Sequence, residues 1–251
     1  YSDNKLDQKW TYWADDGRKT EEVTYDKGVK NGSFLLWNMD NYKTIEGEYR
    51  TGEKHGTWTL WYEDGTLKAQ ESYASGEKDG QWIWWHPNGV KDKEGSYKTG
   101  VYHGIWTLWN NADHKKSEKT FVNGILDGMI SMWYNNGNKE REGIIRGNEP
   151  EGSWVYYHAD GTEDFTFDYG SGLDRLRIAE LEERDGVFYK IGKHKPYTGI
   201  VVETGGIKDY LLLGRFQAGK RDGQWVQWFR NGQKEVEGLY YRGKKHGDWT
   251  L

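Results

Sequence analysis

The chain of 251 residues contains no cysteine, only three prolines, and no apolar run near the roughly 18–20 residues of a membrane-spanning helix. The first absence excludes disulfides and thiolate chemistry. Charge also lacks a strong bias: 35 Lys and Arg against 40 Asp and Glu leave a formal charge of -5. Neither a nucleic-acid stripe nor a polybasic membrane patch is implied. No G-x-S-x-G, P-loop or dinucleotide fingerprint occurs.

Apolar residues are scarce at 35%, and the mean hydropathy is -1.03. Those values alone lean toward disorder, but aromatics at 16% and fifteen Trp argue for a folded chain. The buried area must come from a few large rings, each able to bury roughly 150–250 Å². With 34 Gly, tight turns are abundant.

The glycines and tryptophans recur together. Gly32, Gly56, Gly80, Gly104, Gly128 and Gly152 are spaced by 24 residues, and Gly199, Gly223 and Gly247 resume that spacing. Two residues after this glycine stand Phe34, Trp58, Trp82, Trp106, Ile130, Trp154, Val201, Trp225 and Trp249. Five residues after it stand Trp37, Trp61, Trp85, Trp109, Trp133, Tyr157 and Trp228. Trp10 and Trp13 fit one unit earlier, so Trp84 is the only Trp outside the two columns. A ligand platform needs a few specially placed rings; rings in nearly every unit are architecture. Trp58, Trp61, Trp82, Trp85, Trp106, Trp109, Trp225 and Trp228 are therefore expected to form the structural core of the repeat.

Turn signals bracket each Trp segment. Gly17, Gly65, Gly89, Gly137, Gly161 and Gly232 close it in "DG" or "NG", a strong signal for a tight hairpin with two left-handed residues. Asn41 and Asp113 replace that glycine and tolerate the same backbone. A second run ends at Tyr25, Tyr49, Tyr73 or Tyr97, with another glycine three residues later. One unit is thus a β-hairpin, with Trp58 and Trp61 on opposite faces of its first strand. The second strand is largely polar, with Lys19, Lys43, Lys91, Lys115, Lys139 and Lys234 in one column. Gly47, Gly95, Gly143 and Gly238 leave space over which a ring of the next unit can lie.

The fold expected is all-β: an elongated array of 24-residue antiparallel hairpins forming a twisted single sheet or open solenoid. At about 4.8 Å per strand, nine or ten units span roughly 90 Å. Nearest-neighbour contacts suffice, and no long-range core is required. Residues 1–172 form an N-terminal block and 199–251 a C-terminal block whose last unit is incomplete. Between them, 173–198 breaks the pattern, with Leu176 where a glycine is due. This stretch reads as a degenerate hairpin with an enlarged basic loop. Lys190, Lys193, His194, Lys195 and Tyr197 are the candidate partner-binding residues, because this loop alone is unique along the array.

"NGQKEVEGLYYRGKKHGDW", 231–249, resembles the MORN (membrane occupation and recognition nexus) repeat, in the bacterial variant of the YwqK antitoxin family. "YRTGEKHG" and "KPYTGI" match as well, and the resemblance extends over nearly the whole chain. It implies hairpin arrays that serve as scaffolds or interaction surfaces, without catalytic machinery or cofactors.

The seven histidines raise a metal question. His55, His103 and His246 precede the repeat glycine where other units carry Asn31, Asp79, Asp127, Glu151 or Asp222, which marks a polar turn column. His55 and His103 stand about four strand spacings apart, roughly 19 Å, too far to share a metal. Glu182, Glu183 and Asp185 form the densest acidic cluster and read as a solvated face.

The function expected is a non-enzymatic scaffold for protein–protein interaction, as a subunit of a bacterial envelope or surface assembly. The alternatives are an antitoxin that neutralises a toxin, and an aromatic module that binds glycans or choline. Protein partners are expected, without nucleic acid, small-molecule ligand or metal. Membrane association would come only through an anchor outside this sequence. Tyr1 in place of Met favours an exported protein of the periplasm or outer-membrane surface, with the cytoplasm as the alternative.

Overall fold

A computed structural model describes residues 5–170, 173–204 and 210–250. The chain divides into two compact units. One runs through Glu149 and includes Tyr157–Glu163; the other comprises Pro150–Tyr156 and the residues from Asp164 onward. Fourteen antiparallel strands, from Gln8–Trp13 to Glu163–Asp168, follow one another in chain order in an open sheet.

The unit Glu53–Ala74 shows why the sequence repeats as it does. Strand Glu53–Trp61 pairs regularly with Leu67–Ala74, from Gly56 opposite Tyr73 to Leu60 opposite Ala69. Its pairing with the preceding strand, Lys43–Arg50, is interrupted. Glu48 faces His55 and Glu46 faces Thr59, so Gly47 alone stands opposite Gly56, Thr57 and Trp58. Gly56 takes φ +66° in this bulge, which sets three residues against one. The Trp58 indole fills the space it opens, lying over Gly47 and donating its N–H to the Glu48 carbonyl at 3.2 Å. The same N–H bond joins Trp82 to Ser72 at 2.9 Å, Trp106 to Ser96 at 3.0 Å and Trp225 to Arg215 at 3.1 Å. Trp106 lies over Gly95, Trp249 over Gly238, and Trp225 over Gly214, which the sequence columns had not singled out.

The two turns of a unit differ, and the tight one is at the opposite end from that expected. Thr51 and Gly52 both have left-handed backbone, φ +50° and +88°, and Arg50 pairs with Glu53, which makes a two-residue type I′ turn. The "DG" turn is instead a four-residue turn in which only Gly65 of the pair is left-handed, at φ +84°. The Gly65 N–H donates to the Tyr62 carbonyl at 3.0 Å, and the Tyr62 N–H to the Thr66 carbonyl at 2.8 Å. Asp64 serves by accepting the Thr66 N–H at 2.9 Å. The column is rich in Asp and Asn for that side-chain bond.

Each face of the array has its own ladder. On one, the Trp58 ring centroid lies 5.5 Å from Phe34 and 4.9 Å from Tyr49, and only 1% of Trp58 is exposed. Lys54 covers this cluster, with Nζ 4.3 Å from the centre of the Trp58 ring. On the other face, the half-buried Trp37, Trp61, Trp109 and Trp133 alternate with lysines: Lys19, Lys43, Lys91 and Lys115 lie 5.1–5.6 Å from their rings. Each of these lysines also meets a glutamate three residues on, as in Lys43–Glu46 at 2.8 Å and Lys91–Glu94 at 2.6 Å. The lysine column is thus part of the packing.

The second unit departs from a simple array. Its six-stranded sheet has the order Asp174–Leu176, Gly199–Thr204, Tyr210–Gln217, Lys220–Trp228, Lys234–Tyr241 and Lys244–Thr250. The first two of these strands are parallel, with Arg175 opposite Ile200. Gly199 is therefore not a repeat glycine. It has no left-handed backbone, and its missing side chain leaves room for the Tyr197 hydroxyl and the Asp174 carbonyl.

One side of this sheet buries Leu176, Tyr197, Val201, Phe216 and Trp225. Ile200, Leu213, Val226 and Trp228 are buried too, and Phe165 meets Trp228 at 6.0 Å. Lys234 bonds Asp164 at 2.5 Å, seventy residues away in sequence. The expectation that nearest neighbours alone suffice does not hold here. Apolar side chains alternate onto both faces of Lys220–Trp228, and both need cover.

Candidate functional site

The off-pattern segment builds a compact feature of the second unit. A short 3₁₀ turn, Ile178–Glu180, leads into strand Leu181–Arg184, which pairs with Val187–Lys190 across a turn at Asp185 and Gly186. The chain then folds back. Ile191 donates its N–H to the Glu180 carbonyl at 3.0 Å, and Lys193 to the Lys190 carbonyl at 2.9 Å. The Arg184 guanidinium lies over the Tyr189 ring at 3.9 Å and bonds the Lys193 carbonyl.

Tyr197 anchors the far end. Its N–H donates to the Phe188 carbonyl at 2.9 Å, and its carbonyl accepts the Gly219 N–H at 2.6 Å. Its hydroxyl stands 2.8 Å from the carbonyls of both Asp174 and Ile200. Burial, above all, pushes the phenol well above its ordinary pKa, with the Asp174 charge adding to the shift.

The five residues singled out in the sequence come together but do not play one part. Lys190, Lys193, His194 and Lys195 are exposed and line a depression of about 460 Å³, with Asp174 and Thr198 in its wall. Tyr197 also lines the depression but is only 5% exposed, and its hydroxyl faces inward to backbone carbonyls, so it supports the loop. Among the described residues, none of the three lysines forms an ion pair.

The eight tryptophans assigned to the repeat core also divide. Trp58, Trp82, Trp106, Trp225 and Trp228 are buried, whereas Trp61, Trp85 and Trp109 are half-buried on the lysine face. His55 and His103 lie in strands, two residues past the tight turn, opposite Glu48 and Ser96. Among the described residues, no three His, Asp or Glu side chains are grouped to hold a metal ion.

Two further surfaces lie outside the partner-binding residues singled out in the sequence. A groove of about 620 Å³ in the second unit is lined by Trp225, Tyr240, Trp249, Leu212 and Arg221, among others. In the first unit, Ile105 pairs with Thr120 and Met129 with Ile144, and they leave an aliphatic patch. Ile105 is 58% and Met129 54% exposed, whereas other units place Ser33, Thr57 and Gln81 in the same column. Comparing columns for residues that break the repeat's polarity would have found this patch.

Residues 54–74 and 78–99 match the MORN repeat variant, and these are two adjacent hairpin units of the array. No curated protein matches the chain. The match supports a MORN-type repeat protein. Such repeats are in general non-catalytic modules associated with protein interaction, and an open sheet of repeated hairpins suits that use.

Proposed function

We propose that this protein is a non-enzymatic scaffold that binds protein partners, and that its interrupting segment selects them. The observation that carries this reading is the convergence of Lys190, Lys193, His194 and Lys195 on one depression, where the hairpin order is broken among the described residues. The loop backbone is held by Tyr197 and Arg184, so little backbone entropy is lost when a partner docks. The repeats supply a rigid support, and their rings are spent on packing. That use of the rings counts against glycan or choline binding, since Gly47 and Lys54 take up the two faces of Trp58.

The test is affinity purification with the wild-type chain and with K193A/H194A/K195A. Loss of the co-purifying proteins, with an unchanged far-UV spectrum, is expected; an unchanged partner set would refute the role of the loop. The two narrower forms make different demands. An envelope subunit co-fractionates with membranes and their assemblies. An antitoxin is required for viability only while its toxin is present.

A further inference from the structure

We infer that the depression beside Lys190, Lys193 and Lys195 is an anion site that takes a short acidic segment of the partner protein, one or two Asp or Glu side chains at a time. The inference rests on the scaffold reading above and adds the chemistry of the contact.

The first argument is charge that is left unpaired. In the repeat column, Lys19, Lys43, Lys91, Lys115, Lys139 and Lys234 each meet a glutamate three residues later. Among the described residues, Lys190, Lys193 and Lys195 form no ion pair: Asp174 stands in the wall of the depression without bonding them, and the nearby Glu182 accepts the Gly192 N–H at 3.2 Å. Three ammonium groups within six residues repel one another, and an anion among them relieves that repulsion.

The second argument is rigidity. The Lys193 N–H bonds the Lys190 carbonyl, Arg184 holds the Lys193 carbonyl, and Ala218 donates its N–H to the Thr198 hydroxyl at 2.9 Å. The lysine backbones are therefore placed before any ligand arrives.

The third argument is shape. A concavity of about 460 Å³ accepts side chains of one peptide. Three lysines around a hollow do not form the flat cluster of about 4–8 basic residues that recognises an anionic membrane. Nor do they form a stripe along a nucleic-acid backbone. Asp174 in the wall disfavours a dianionic phosphate, whereas single carboxylates along a peptide can be placed away from it.

The experiment is fluorescence anisotropy with a labelled ten-residue peptide alternating Asp and Gly, against a Ser–Gly control, at low and moderate salt. Saturable binding of the acidic peptide alone is expected, weakening several-fold as salt is raised. K193E/K195E should weaken it by about tenfold or more, and K193R/K195R should keep it within about threefold. Tryptophan fluorescence checks that each variant is folded. Absent peptide binding, or equal binding by K193E/K195E, overturns the inference. Stronger binding through this loop to vesicles containing phosphatidylserine, or to a single-stranded oligonucleotide, also overturns it.

Pull-downs separate this failure from that of the scaffold reading. If K193A/H194A/K195A and K193R/K195R both lose the natural partners while the peptide never binds, the loop is a contact surface without an anion site. If the alanine variant keeps every partner, the scaffold role of the loop itself fails.

Discussion

The indole of Trp58 lies directly over Gly47 of the preceding hairpin, in the position where a Cβ would stand on any other residue. This contact joins one unit to the next. The bulge opens the space, the glycine leaves it empty, and the ring fills it while capping the Glu48 carbonyl.

Gly47→Ala should therefore destabilise the protein by about 1–3 kcal/mol, because the added methyl forces the ring out of a filled space. Trp58→Ala should cost about 3–5 kcal/mol through lost burial and an unfilled cavity. Urea unfolding followed by circular dichroism measures both. A neutral Gly47→Ala would mean that the ring does not lie where it is described.

The second unit depends on an ion pair closed across seventy residues. Lys234 bonds Asp164 at 2.5 Å and Glu237 at 2.6 Å, and the Asp164 side chain is only 5% exposed. Burial opposes the charge on Lys234, but its two carboxylate bonds prevail and raise its pKa. Lys234→Met leaves Asp164 charged and buried, and should cost about 3–5 kcal/mol. Lys234→Met combined with Asp164→Leu should recover most of that loss. Because the folded pKa is raised, this stabilisation is present throughout neutral pH. It is lost only as pH rises past the ordinary lysine value and through the folded one. A thermal-melting series from pH 7 to strongly alkaline pH reads the loss directly.

Acid should act on the lysine–glutamate ladder. Glu22 is held below its ordinary carboxylate value chiefly by Lys9, and Glu142 chiefly by Lys139 with help from Tyr157 and Ser131. A lowered folded pKa means stability that is full above the unfolded value of 4.5 and lost as pH falls through the folded value. The melting temperature should hold down to about that unfolded value and then fall. Glu142→Gln should lower the melting temperature at pH 7 and make the acid decline shallower. A wild-type decline beginning well above pH 5 would contradict the assignment of this stability to the ladder.

The period of the array was readable because each unit carries its own turns and rings within 24 residues, and the Gly47–Trp58 relation could be anticipated from face and spacing. The placement of the tight turn could not. A "DG" pair such as Asp64–Gly65 is equally compatible with a type I′ turn and with a four-residue turn ending in a left-handed glycine. Cross-strand pairing decides between them. The lysine column showed only as the polar part of the second strand, because its partners, such as Trp61 for Lys43, belong to the next hairpin. At the candidate site, the basic residues were visible as a cluster. The inward turn of Tyr197 was not, since it depends on carbonyls at Asp174 and Ile200 brought together by a parallel pairing.

Sequence alone determined the all-β class, the hairpin unit and the place where the repeat is interrupted. All three rest on local signals: turn glycines, strand alternation and a fixed spacing of rings. Tertiary structure decided which tryptophans are buried, that the second unit covers both sides of its sheet, and that Lys190, Lys193, His194 and Lys195 share one concavity. These features depend on residues far apart in the chain, such as Asp164 and Lys234, whose proximity no periodic pattern encodes.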